Sequence, residues 1–396
     1  MPHVLEQEKD VTPATILWRR FFSDKSAVAG LVFVILLTLL AICAPVLING
    51  KPFFIAFQDG TWKSPALRDF FAPDAQEILV EKIFNALFLA LLVLTPAFFL
   101  LRKASGQKRK YVILLLSILV ALPFCLMKTK MDQTNWRNIS TKDNVTYSIF
   151  APIPYGPFET SEEIFAGPSK KHIFGTDQIG RDVAARMLYG ARVSLSVGFF
   201  STIISLIIGI TLGLFSGYRG GKIDLLVQRC VEIMICFPTF LLLLILMSIM
   251  LDYGIRQSIL LVIIVLGITG WPGLSRLVRG EVLKQRQIAY IQSCECLGIP
   301  LYSILFRHLL PNVSGPIFVY FSFSVSSAIL SANSLSFLGF GVQDPSASWG
   351  ELLKQAFSDP LLHWNLMLWP GLSIFLTMIS FNFIAEGIRH AIDRKI

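Results

Sequence analysis

The chain is a succession of apolar runs, each long enough to cross a lipid bilayer, separated by polar segments. The runs fall at residues 27–47, 83–101, 111–127, 193–215, 231–251, 258–274, 317–335 and 366–384. A spanning helix needs about 20 apolar residues, and uninterrupted runs of that length read as helices rather than strands. Composition agrees: 54% of residues are hydrophobic, only 15% are charged, and the mean hydropathy is +0.63. No soluble domain needs that much apolar surface. The sequence therefore predicts an all-α polytopic membrane protein with about eight spans.

The formal net charge of +9 could suggest nucleic acid, but the basic residues sit in short loops between runs. That distribution is the positive-inside pattern, so it reports topology, with membrane lipid rather than nucleic acid as the surroundings. The turn 102–110, RKASGQKRK, has five basic residues and no acid, which predicts a cytoplasmic loop. Alternation then places both termini and 276–314 inside and 128–192 outside. Residues 1–26 read as a cytoplasmic segment with an interfacial helix. Thr12 caps it, Pro13 opens it, and Trp18, Phe21 and Phe22 stand beside Arg19, Arg20 and Lys25. The first apolar core is too long and starts too far in for a signal peptide. Six cysteines (43, 125, 230, 236, 294 and 296) form no disulfide framework, and the 294/296 pair lacks zinc-site spacing. Asn138 and Asn144 head glycosylation-type triplets of a kind common by chance.

Within the runs, Ser201, Ser205, Gly209, Gly213 and Gly217 recur every four residues. This spacing predicts one small-residue face along which another helix can approach closely. Asp182 is placed to cap a helix from residue 183. Glu232 and Glu386 lie near cytoplasmic ends of runs, where a transport role and a plain structural role both fit; Arg229 is three residues from Glu232. The serine-rich run 317–335 carries Ser322, Ser324, Ser326, Ser327, Ser331 and Ser334. Its hydroxyls either line a path or bond their own helix. GYRGGK at 217–222 is not a phosphate loop, because Ser216 and Ile223 stand where glycine and Ser/Thr are required. No nucleophile constellation and no HExxH occurs, so nothing in the sequence supports intramembrane hydrolysis.

The segment 288–312, IAYIQSCECLGIPLYSILFRHLLPN, is polar and basic between two apolar runs. It reads as two short helices broken at Gly298 and Pro300, the second restarting at Leu301 and ending at Pro311. It resembles the coupling loop of ABC-importer permeases, with Gln292, Ser293, Cys294, Gly298, Arg307, His308, Leu310 and Pro311 at or beside the motif positions. Gln stands for the family's Glu, and Ser-Cys for its Ala-Ala. The stretches HIFGTDQIGRDVAARMLYGARVSLSVGF (172–199), GLFSGYRGGKIDLLVQRCVEIMICFP (213–238), LSFLGFGVQDPSASW (335–349) and WPGLSIFLTMISFNFIAEGIRHAID (369–393) add to this. Together they resemble the second permease subunit of oligopeptide and dipeptide ABC importers, including nickel-importing relatives.

The resemblance covers 12–48 and about 168–396. It implies a type I importer-like permease core at 168–396, with the loop 276–314 contacting ATPases. The segment 48–167, carrying a hairpin of spans at 83–101 and 111–127, is an insertion. Expected partners are a homologous second permease, two ABC ATPase subunits that bind ATP and Mg, and an external solute-binding protein. No cofactor is expected on this chain, and the expected location is a bacterial inner membrane. A secondary transporter would instead predict a repeat of spans and mid-membrane charges, neither of which is visible. A membrane scaffold would not need the docking loop.

Overall fold

The computed structural model describes residues 13–71, 73, 78–100, 106–126, 134, 136–140, 145–255 and 257–393. Thr12, residues 102–105 of the basic turn, Asn144, Arg394 and Lys395 lie outside them, as do the side chains of Cys125 and Asn138. The chain is mostly helical and divides into two units. One comprises residues 1–35, 196–335 and 372–396, the other 36–195 and 336–371.

The first unit starts with α1 (Pro13–Ser23), which exposes Trp18 and Phe22 and tucks Phe21 against Ala27 and Ala391. Asp24 separates it from α2 (Lys25–Leu47) and caps that helix, accepting bonds from the Ser26 and Ala27 amides at 3.0 and 3.4 Å. The same unit holds most of α7 (Val183–Arg219), then α8 (Gly221–Cys236), α9 (Thr239–Asp252), α10 (Ile259–Thr269) and α11 (Trp271–Arg286). It continues through α12 (Ala289–Cys296), the single turn α13 (Leu301–Ser303), a π-helical segment Ile304–Leu309, and most of α14 (Leu310–Phe337) and α16 (Trp364–Asp393).

Three expected boundaries change, each through proline or glycine. The run 231–251 is not one helix. Phe237, forced to an extended conformation by the following proline (φ −90°, ψ 131°), ends α8, and α9 leaves at a bend of 84°. The run 258–274 breaks at Gly270, and α11 restarts with Pro272 in its first turn. Pro311 does not end a helix. The π-helical segment directly before it widens the turn where proline would clash, and helix continues to Phe337. The Asn312 side-chain amide donates to the His308 carbonyl at 2.9 Å, occupying an acceptor in the disturbed turn.

Among the described residues six helices are long and apolar enough to span a membrane, or seven if the bent pair α8–α9 counts as one.

The second unit contains residues 48–167, which the sequence sets apart as an insertion. Its strands β1 (Phe54–Phe57), β2 (Trp62–Lys63) and β3 (Val145–Ile149) make a small antiparallel sheet in the order β2-β1-β3, pairing Ile55 with Lys63 and with Ser148. The helices α3 (Pro65–Phe71), α4 (Ile78–Leu100) and α5 (Gly106–Leu126) meet in a cluster of Phe70, Phe71, Phe88 and Phe124, and α6 (Trp136–Ser140) is a short turn. The sequence of these segments does not announce the sheet or the short helices.

Asp182 caps α7 as its position predicts, accepting from the Ala185 amide at 2.8 Å, while His172 Nδ1 lies 2.8 Å from its other oxygen. Beside it Arg181 and Arg186 are buried with Asp177 and, from α15 (Trp349–Ala356), Glu351. Arg181 Nε donates to Asp177 at 2.6 Å and Nη1 to Asp344 at 2.8 Å, and Arg186 Nη2 donates to Glu351 at 2.7 Å. Burial opposes the charge on Arg181, but Asp177 and Asp344 outweigh it and hold its pKa above the ordinary arginine value.

Candidate functional site

The segment 288–312 is built as a short helix, a glycine stop and a second helix. Gly298 has φ +69°, a left-handed conformation that costs a side-chain-bearing residue strain. Its amide bonds the Glu295 carbonyl at 3.0 Å and the Ile299 amide bonds Cys294 at 3.1 Å, the pair of bonds that closes a Schellman terminus. A Cβ at Gly298 would meet nothing within 4 Å in this chain, so the backbone angle, not crowding, demands glycine here.

α12 is two-faced. Ile291 and Cys294 are buried, whereas Gln292 and Ser293 are exposed. Cys294, at one of the motif positions, lies i+3 from Ile291 and falls with it on the inward face. Both side chains join a core with Leu214 of α7, Val278 and Val282 of α11, and Leu305, Leu309 and Val313 of the continuous helix that follows. Among the other residues predicted here, Arg307 and Pro311 are exposed and Leu310 packs partly against that core. His308 Nδ1 is hydrogen-bonded to the Tyr290 hydroxyl, which ties the two arms of the loop across Gly298. Leu297 and Tyr302 are 78% and 72% exposed, adding apolar surface that motif spacing did not indicate.

The small-residue stripe is a contact surface. A Cβ on Gly213 would lie 2.7 Å from Val278 Cβ and 2.8 Å from the Ser275 carbonyl; Gly209 is opposed by Leu274 and Gly217 by Val282, both at 3.0 Å. Ser205 Oγ donates to the Gly267 carbonyl at 2.8 Å, and Ser201 Oγ to the Val197 carbonyl of its own helix. The stripe thus seats α7 on α10 and α11. At the turn where α7 meets α8, Arg279 makes a bidentate pair with Asp224 at 2.5 and 2.6 Å, fixing α11 to α8. The loop helix, the stripe and this pair lie in one continuous packing system.

Glu232 pairs with Arg229 at 2.5 Å on an exposed surface, the structural role its spacing allowed. Glu386 faces His390 at 3.3 Å, and His390 in turn faces Asp24 at 3.3 Å. The structure therefore brings Glu232 and Glu386 to separate surface pairs rather than to one site.

Sequence reasoning missed Arg192. It is fully buried on α7, donating to the carbonyls of Ala41 and Ile42, to Asn85 Oδ1 at 3.0 Å and to Glu81. Glu81 and Asn85 belong to α4, so this group pins α4 to α7. The available signal was an arginine just before one apolar run and a glutamate just before another, each costly to bury alone.

Residues 209–396 match the model of the binding-protein-dependent transport system inner membrane component, and residues 12–65 match the N-terminal membrane domain of oligopeptide transport permease C. The chain is 40% identical over 230 residues to the glutathione transport system permease protein GsiD of Pectobacterium atrosepticum, covering 58% of this chain and 75% of that protein. It is 39% identical to the dipeptide transport system permease protein DppC of Bacillus subtilis, over 58% of this chain and 70% of the relative. Identity to the oligopeptide transport system permease protein OppC of Haemophilus influenzae is 39%, over 57% and 70%.

Proposed function

This chain belongs to the binding-protein-dependent transport system inner membrane components, and from that premise we propose that it is a permease subunit of an ATP-driven peptide importer. It is a multi-pass membrane protein with apolar helices of spanning length. A homologous permease completes the path, two ATPase subunits dock on 288–312 from the cytoplasm, and an external binding protein delivers the solute. Both termini are cytoplasmic in a bacterial inner membrane, as the basic loops favour. The relatives named above for glutathione, dipeptides and oligopeptides support a peptide as cargo.

One observation carries the coupling role: α12 shares its core with α7, α11 and α14. Gln292, Ser293, Leu297, Tyr302 and Arg307 face outward for a partner, while Ile291 and Cys294 are locked inward. Motion imposed on α12 by closing ATPases is then passed to the spans, whose inward and outward states differ in their contacts with the partner. ATP and Mg bind the ATPases and not this chain.

Reconstitution tests the reading. With the partner permease, ATPases and binding protein in proteoliposomes, labelled di- and oligopeptides are expected to accumulate only with ATP. Accumulation of nickel but no peptide would reassign the cargo. Uptake by this chain alone, driven by an ion gradient, would make it a secondary transporter.

A further inference from the structure

A cavity of about 350 Å³ in the first unit is walled by α7, the α8–α9 bend, the α10–α11 junction and α14. Its lining is rich in hydroxyls and, among the described residues, contains no charged side chain. From α7 come Ser201, Thr202 and Ser205; from α14 come Ser324, Ser327 and Ser331, which share one helical face at spacings of three and four.

α14 separates its serines by task. Ser322 Oγ donates to the Phe318 carbonyl of its own helix and Ser326 Oγ to the Met378 carbonyl of α16, both at 3.3 Å and both away from the cavity. Among the cavity-lining hydroxyls, those of Ser201, Ser205 and Thr269 donate to backbone carbonyls and leave their oxygens to accept. Thr202 is 3% exposed, and its hydroxyl has no hydrogen-bond partner among the described residues. A buried hydroxyl left unpaired is costly, so the space it faces is suited to water or a polar ligand. The bend adds a second reason. Ile235 and Thr239 flank the break at Phe237–Pro238 and line the same cavity. Broken helix at membrane depth is tolerated where protein or a polar cavity covers the freed backbone groups.

We propose that this cavity is the chain's share of the solute path and that it takes the amide backbone of a peptide in transit. The proposal rests on the peptide reading above. Hydroxyls whose protons are committed, as at Ser201 and Ser205, still accept from a peptide N–H, and the Thr202 hydroxyl can donate to a peptide C=O, so the wall offers both kinds of partner. With no fixed charge on the wall, the path does not discriminate among acidic, neutral and basic side chains.

The test uses the complete importer in proteoliposomes with Ala-Ala-Ala, Ala-Glu-Ala and Ala-Lys-Ala. Thr202→Val keeps the shape and removes the hydroxyl; Ser331→Ala does the same on α14. Each is expected to lower uptake by about fivefold, the size of one net hydrogen bond, and equally for all three peptides. Ser331→Trp fills the space and abolishes uptake, whereas Ser322→Ala, outside the cavity, retains it. Wild-type uptake in Thr202→Val and in Ser331→Trp, at wild-type content of the complex, overturns the proposal. A loss confined to one peptide charge also overturns it. If the wild-type importer moves none of the three peptides, the peptide reading fails, and this proposal with it.

Discussion

The two ends of α7 are held by opposite chemistry. Near its start Arg181 and Arg186 are buried with Asp177 and Glu351, and each charge is matched by an opposite one within hydrogen-bonding reach. Toward its end Gly209, Gly213 and Gly217 present no side chain, and the α11 residues Leu274, Val278 and Val282 sit directly on the helix. Lipid is as apolar as leucine, so no hydrophobic drive holds two apolar helices together there. Close backbone approach supplies the contact instead. A buried ionic group stabilises only when its partners stay in place, and removing one leaves the others uncompensated. The ionic end should therefore fail abruptly, and the glycine end in proportion to the volume added.

The largest effect is expected from Arg186→Met, which removes the nearest positive charge from buried Glu351, leaving it Gln355 and the more distant Arg181. It should cost about 3–5 kcal/mol, read as a fall in the melting temperature of the purified complex. Arg186→Met combined with Glu351→Gln should recover part of that loss. No recovery would mean that packing, not charge, dominates this end.

Gly213→Leu comes next. The first added carbon already overlaps Val278 and the Ser275 carbonyl, so the cost should reach or exceed the roughly 1–3 kcal/mol typical of overpacking, with Gly213→Ala in between. Wild-type yield and assembly of Gly213→Leu would show that the seam is not a seam.

The loop provides a smaller, partner-dependent effect. Gln292 is exposed and uncharged, so Gln292→Ala should leave the melting of this chain unchanged. It should weaken ATPase association by about 1 kcal/mol, the value of a neutral hydrogen bond.

The smallest effect belongs to a half-buried charge at the start of α2. Asp24 is held down to about 2 by the Ser26 hydroxyl, with His390 and the α2 amides adding to it. Because its folded pKa is depressed, its contribution is complete above the unfolded value near 3.8 and is lost as pH falls through about 2. Asp24→Asn should flatten the melting curve's dependence on pH in that window and change little at pH 7. An unaltered acid dependence would remove Asp24 from the account.

What could be read from the sequence was local. The cap at Asp182, the stop at Gly298 and the four-residue stripe each depend on residues within a turn or two. The stripe's partner helix was not legible, nor was the cluster joining Arg186 to Glu351 across 165 positions, because only the folded chain brings those groups together. The bend at Pro238 and the continuation past Pro311 show the limit from the other side. Both prolines disturb a helix, but one ends it and the other is absorbed by the π-helical segment before it. Which outcome occurs is set by packing around the turn. The inward face of Cys294 is likewise a matter of its spacing from Ile291, which its motif position alone does not show.

The central claim is that α12 and its glycine stop are the element through which ATPases act on the spans. The direct measurement is solute-stimulated ATP hydrolysis by the reconstituted importer carrying Gly298→Glu, with ATPase co-purification measured on the same membranes. The account predicts that the variant stays in the membrane at wild-type abundance but retains little ATPase and little stimulation. A side chain there strains the left-handed backbone and places a charge on the docking face. Normal association and normal stimulation at wild-type abundance would contradict it.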